Sequence, residues 1–219
     1  MIKQTIIFGL ILLIPFSLVP LLALFTIEEP PALQTPMVTI PSGVGKVVER
    51  EQGIAVYAYD SEPPAIRGKS TAKDGYCYGE KWQSTEFVRR FYDVGFNYRM
   101  PYDPGYAKNY FNPEIAHGAI NPALGLVQYK NNHAHKPEAG DLLVFIEGKR
   151  GHIALISKVD GDVVEVVQQN MEDQPRAQMQ LEWRNNGWRI TGQKEPAGWL
   201  RLSTARVHTS HEHDGSHDS

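Results

Sequence analysis

The chain of 219 residues is 42% hydrophobic and 21% charged, enough to build one catalytic-sized core with appendages. Its net charge of -3 comes without a Lys/Arg-rich segment, which sets nucleic acid aside as a partner. Cys77 is the only cysteine, so an intramolecular disulfide and a four-cysteine zinc site are both excluded.

Residues 6–25 form an uncharged apolar run, about the ~20 residues needed to cross a bilayer core as a helix. Lys3 precedes it and Glu28 and Glu29 follow, so the positive-inside bias places the N-terminus in the cytoplasm. The remaining chain is then expected outside the cytoplasm, in a periplasmic or extracellular setting. A cleaved signal peptide is the rival reading. The run is longer than a typical apolar core of about 7–15 residues, however, and ends Ala23-Leu24-Phe25-Thr26 rather than small-x-small. The segment 1–27 therefore reads as a membrane anchor or signal peptide, with the anchor favoured. Residues 28–45, with Pro30, Pro31, Pro36 and Pro41, read as an extended tether. The folded domain is expected over 46–206. Residues 207–219 are His, Asp, Ser and Gly with little to bury, a disordered tail.

Within the domain, Phe87, Val88, Phe91 and Val94 recur at helical spacing, predicting a half-buried helix over 84–94 capped by Gly95. Residues 97–135, rich in Pro, Gly, Asn and Tyr, read as loop with a short helix over 106–111. Strands are predicted over 142–147, 152–159 and 163–168, with turns at 148–151 and 160–162, as an antiparallel meander. Asn185-Asn186-Gly187 marks a hairpin between strands over 180–184 and 188–191, and a strand over 198–202 would close the sheet. A helix followed by a run of strands is an α+β pattern.

Covalent amide chemistry needs a nucleophile, a base within hydrogen-bond reach and a group that orients the base. Three segments in order can supply them: KWQSTEFVRRFY at the helix start, GHIALISKV opening a strand, and VVQQN ending the next. With Pro137-Glu138-Ala139-Gly140-Asp141 ahead of the second, the chain resembles the CHAP family of amidohydrolase/peptidases. Within that family it is most similar to the glutathionyl-polyamine amidases. The resemblance implies a papain-like fold, a nucleophile helix packed on an antiparallel sheet. It also implies that Ser84 occupies the nucleophile position, His152 is the base, and Gln168 with Asn170 orients the histidine. Trp82, Gln83 and Gly151 would flank the substrate groove, and no metal or cofactor is expected.

The chain departs from that pattern twice, with serine for the nucleophilic cysteine and Gln168 for a glutamate; Thr85 also replaces a valine usual there. A cysteine at a helix N-terminus gains thiolate character from the dipole, whereas a serine must surrender its proton to His152 during attack. A neutral Gln168 orients an imidazole but does not stabilise the imidazolium. Two functions follow from the same scaffold. One is a membrane-tethered amide hydrolase acting on a cell-wall peptide or a glutathionyl-polyamine-type amide. The other is a binding or regulatory module that keeps the groove and has lost turnover, with a protein partner that the sequence does not identify.

Simpler roles compete for each residue. Ser84 could be an N-cap, His152 a satisfied strand-end histidine, and Gln168 and Asn170 turn and edge residues. Cys77, in Gly75-Tyr76-Cys77-Tyr78-Gly79, could be a relocated nucleophile, though it would lack the helix dipole. Trp82, Trp183, Trp188 and Trp199 read as core and groove packing. The tail histidines His208, His211, His213 and His217 would support metal binding only if the tail alone suffices.

Overall fold

The computed structural model describes residues 45–59, 68–171 and 174–203. The predicted anchor, nearly all of the tether and the His-rich tail lie outside them. Among the described residues no helix is long and apolar enough to cross a membrane.

The described residues form twelve strands and one α-helix, in order: β1 (Val47–Glu51), β2 (Ile54–Tyr57), β3 (Lys69–Thr71), β4 (Cys77–Glu80), α1 (Ser84–Phe96), β5 (Ala119–Asn121), β6 (Leu126–Lys130), β7 (Leu142–Phe145), β8 (His152–Asp160), β9 (Val163–Val167), β10 (Arg176–Arg184), β11 (Gly187–Thr191) and β12 (Gly198–Arg201). A 3-10 turn, Ala107–Tyr110, stands where the short helix was predicted. The α+β expectation holds in its coarse form, one helix packed on an antiparallel sheet, a layout consistent with a papain-like fold.

Helix α1 buries Phe87, Val88, Phe91 and Tyr92 completely, a stripe at i, i+1, i+4 and i+5 that faces the sheet, while Val94 is exposed. The helix runs through the predicted cap at Gly95. It ends instead at Asn97, whose left-handed backbone (φ 50°) turns its N–H onto the Tyr92 carbonyl. Asparagine tolerates that conformation nearly as well as glycine, which is why the stop signal fell two residues late.

The main sheet has the order β11-β10-β9-β8-β7-β12-β6-β5. Strands β7 to β9 form the predicted meander, β10 and β11 the predicted hairpin paired to its edge, and β12 inserts antiparallel between β7 and β6 rather than closing an edge. Closure comes from the chain leaving β6. The Asn132 N–H bonds to the Trp188 carbonyl at 2.8 Å, and the Trp188 N–H to His133 at 2.7 Å. Beside them the Asn131 amide accepts from the Ile190 N–H at 2.9 Å and donates to the Ile190 carbonyl at 3.0 Å. Strand β11 is thereby joined to the continuation of β6, and the sheet wraps into a barrel.

The strands alternate between two apolar environments. Leu142, Val144, Ile153, Leu155 and Val167 face α1, whereas Leu143, Phe145, Ala154, Ile156 and Val166 turn into the barrel with Tyr129, Leu181, Ile190 and Trp199. Burial on both faces explains why β7 and β8 read as continuous apolar runs. At Gly198 a Cβ would run into the Tyr129 carbonyl and lie 2.8 Å from Phe111, so β12 can approach β6 only without a side chain there.

Strands β5 and β6 occupy a stretch predicted as loop. Within β6, Gln128 is fully buried because its amide is satisfied by Asn112 N–H at 3.0 Å and the Asn112 carbonyl at 2.6 Å. A buried polar residue in the middle of a strand hides the alternation by which strands are recognised.

Candidate functional site

Gln83, in extended conformation (φ -71°, ψ 157°), is the N-cap of α1, and Ser84 is its first helical residue. Ser84 is therefore not the cap, and no side chain caps this end of the helix. The Phe87 N–H is the first to bond back, to the Gln83 carbonyl at 3.3 Å. The amides of Ser84, Thr85 and Glu86 are thus left without intrahelical partners, as at any helix start. The Ser84 side chain is nearly buried and stands at the positive end of the dipole.

His152 opens β8, against which α1 packs, and its ring lies 6.0 Å from that of Phe145. Gly151 delivers it. The backbone there is left-handed (φ 69°), and a Cβ would sit 2.5 Å from the Phe145 carbonyl oxygen and 2.7 Å from Lys108. The glycine thus turns the chain tightly into the strand, against the backbone of Lys108.

The imidazole Nε2 lies 2.9 Å from Gln168 Oε1, and Gln168 Nε2 donates to the Gln174 carbonyl at 2.9 Å. A carbonyl only accepts, so the amide nitrogen must face Gln174 and its oxygen must face the ring. The proton of a neutral His152 therefore sits on Nε2, and Nδ1 carries the lone pair. Burial holds the His152 pKa down to about 4; the Gln168 hydrogen bond pulls it upward and the charge of Lys194 pushes it further down. The ring is neutral at physiological pH. Among the described residues no carboxylate hydrogen-bonds to it, and no hydrogen bond joins it to the Ser84 hydroxyl.

Asn170, with a left-handed backbone (φ 64°), does not reach the imidazole, which Gln168 orients by itself. Its Nδ2 donates instead to Gln83 Oε1 at 2.9 Å, while Gln83 Nε2 donates to the Tyr59 hydroxyl at 3.2 Å. Gln83, expected at the groove, is thus a tie between β-segments and the helix start. Trp82 is half-buried, its ring centroid 3.8 Å from that of Tyr57, with the Lys81 ammonium 5.7 Å away.

Residues 168–170 touch both halves of the site. Gln168 holds the imidazole, Gln169 bonds the Gln83 carbonyl at 3.0 Å, and Asn170 bonds the Gln83 side chain. One strand end therefore brings Ser84 and His152 into the same neighbourhood. Sequence reasoning missed Gln169, together with the fully buried Glu86 it bonds at 2.7 Å and the Arg90 paired with Glu86 at 2.6 Å. The Glu86–Arg90 spacing of i, i+4 was the available signal.

Cys77 lies at the start of β4, where its carbonyl accepts from Arg89 Nη2 at 3.2 Å. Trp199 is buried inside the barrel as expected, but Trp183 is half exposed on β10 and packs edge-on to Trp188. Among the described residues no group of histidine, cysteine and carboxylate side chains is arranged to hold a metal.

Residues 73–170 match the CHAP domain family, a span that includes Ser84, His152, Gln168 and Asn170. Two curated relatives are the bifunctional glutathionylspermidine synthetase/amidases of Escherichia coli (strain K12) and Shigella flexneri. Each is 30% identical over 140 residues, covering 58% of this chain and 22% of the relative. The chain thus spans about a fifth of the length of the relatives it matches.

Proposed function

From the CHAP domain that this chain carries over residues 73–170, we propose an amide-binding domain of amidase type whose hydrolytic power is held low by its own side chains. The observation that carries this reading is the neutral chain His152–Gln168–Gln174, with no carboxylate on the imidazole. In the amidase reading a ligand carbonyl sits at the amino end of α1, where the unpaired amides of the first turn receive its oxygen. Ser84 faces the carbonyl carbon, and His152 Nδ1 takes up the serine proton. That last step forms an imidazolium in a place where burial resists the charge and the neutral Gln168 offsets only part of that cost. Ligand recognition survives this defect, because the helix amides bind a carbonyl oxygen without help from the imidazole.

The ligand class we propose is an amide of a cell-wall peptide or of a glutathionyl-polyamine type. In this reading residues 6–25 hold the domain at a membrane, outside the cytoplasm. Titration calorimetry with a muropeptide and with glutathionylspermidine, alongside product analysis, tests the proposal. The wild-type protein should bind one of them with turnover well below about 1 s⁻¹, and Ser84→Cys with Gln168→Glu should raise turnover at least about 10²-fold. Wild-type turnover of about 1 s⁻¹ or more that Ser84→Ala abolishes would overturn it.

A further inference from the structure

We infer that Gln169 is the positioning residue of this site, a buried amide that sets the spacing between the helix bearing Ser84 and the strand end that orients His152. The inference rests on the reading of Ser84 and His152 as one site. Gln169 is 1% exposed, and its side-chain amide bonds three partners on two elements, β2 and α1. Its Oε1 accepts from the Tyr57 N–H at the end of β2, at 2.9 Å. Its Nε2 donates to the Gln83 carbonyl at 3.0 Å and to Glu86 Oε2 at 2.7 Å.

Glu86 is itself immobilised. Arg90 Nε bonds its Oε1 at 2.6 Å, and Arg90 Nη1 donates to the Ala55 carbonyl on β2 at 2.9 Å. The ring of Tyr57 lies 5.0 Å from the same guanidinium. Gln169 thus closes a loop of polar contacts running β2, Arg90, Glu86, Gln169 and back to β2. Its immediate neighbours are the two residues that reach the imidazole and the N-cap side chain. Moving Gln169 by one hydrogen-bond length displaces Gln168 against His152 on one side and Asn170 against Gln83 on the other.

The donor is what matters. Gln169→Glu keeps the shape but places an acceptor against the Gln83 carbonyl and a second carboxylate against Glu86, so both bonds to α1 become repulsive. Pairing it with Glu86→Gln returns a donor to one side of that contact. Gln169→Leu removes the bonds without adding charge.

The test reads the imidazole directly by nitrogen-detected NMR of His152, which requires no ligand and stands apart from whether an amide binds. In Gln169→Leu and Gln169→Glu, solvent exchange of the Nε2 proton should accelerate at least tenfold, with the Nδ1–H tautomer appearing. The pair Glu86→Gln with Gln169→Glu should bring exchange back to within about threefold of wild type. Asn131→Ala, on the barrel seam, supplies a control that lowers Tm and leaves the His152 signals in place. If Gln169→Leu matches Asn131→Ala, with lower Tm but unchanged tautomer and exchange, Gln169 is only part of the core and the inference falls. Should Gln169→Leu fail to fold, exchange in the charge-swapped pair no slower than in Gln169→Glu alone has the same consequence.

Discussion

Gln168 decides which nitrogen of His152 carries the proton, and its neutrality decides how hard a second proton is to add. Replacing it with glutamate supplies the missing counter-charge next to a ring that burial now keeps at about 4. Gln168→Glu should lift the His152 pKa to about 6 or above, read by NMR titration. Gln168→Leu leaves a half-buried imidazole N–H without its acceptor and should cost about 1–3 kcal/mol in chemical denaturation. The residue types at 84, 152, 168 and 170 could be read from short motifs because each motif is local. Their pairing could not. Whether Asn170 or Gln168 reaches the ring depends on the left-handed turn at Asn170, a tertiary outcome that residue identity leaves open.

At the scale of elements, the turn into β8 and the seam of the barrel are the places where one atom matters. Gly151→Ala forces a left-handed alanine and a Cβ against the Phe145 carbonyl. It should destabilise the domain by about 2 kcal/mol or more and disturb the His152 ring together with it. Asn131→Ala removes both bonds to Ile190 and should cost about 1–3 kcal/mol in the same denaturation experiment. Strands β7, β8 and β9 were legible because apolar runs bounded by glycine turns are unambiguous, and the hairpin at Asn185 and Asn186 because both residues take positive φ. Strands β1 to β6 were not. Strand β4 contains Gly79 at φ 127° and β6 buries Gln128, so pairing there owes more to neighbours than to propensity.

For the whole molecule, acid is the expected weakness. His152 and His117 both have folded pKa values near 4, against an ordinary 6.5. For His117 burial is the main cause, helped by the neighbouring His133 and His135. Each binds a proton more readily in the unfolded chain, so each withdraws stability as pH falls from about 6.5 towards 4. At pH 5 the His152 contribution alone amounts to up to about 2 kcal/mol. Asp141, raised by burial to about 6 despite its bonds to Arg201, works in the opposite sense between about 6 and 3.8 and offsets part of the loss. Two histidines against one carboxylate leave a net decline, so thermal unfolding should show a lower Tm at pH 5 than at pH 7.5. An unchanged or higher value would contradict the burial assigned to these rings.

The four tryptophans stand in different surroundings: Trp199 sealed in the barrel, Trp183 half in solvent, Trp188 beside it, and Trp82 lying over Tyr57 two residues before Ser84. Only Trp82 adjoins the helix start, which makes it a built-in optical probe. A ligand settling over Ser84 will change the polarity around that indole, and its emission maximum will shift without any attached dye. Removing that shift with Trp82→Phe, while the light from the other three indoles persists, locates the event at the amino end of α1.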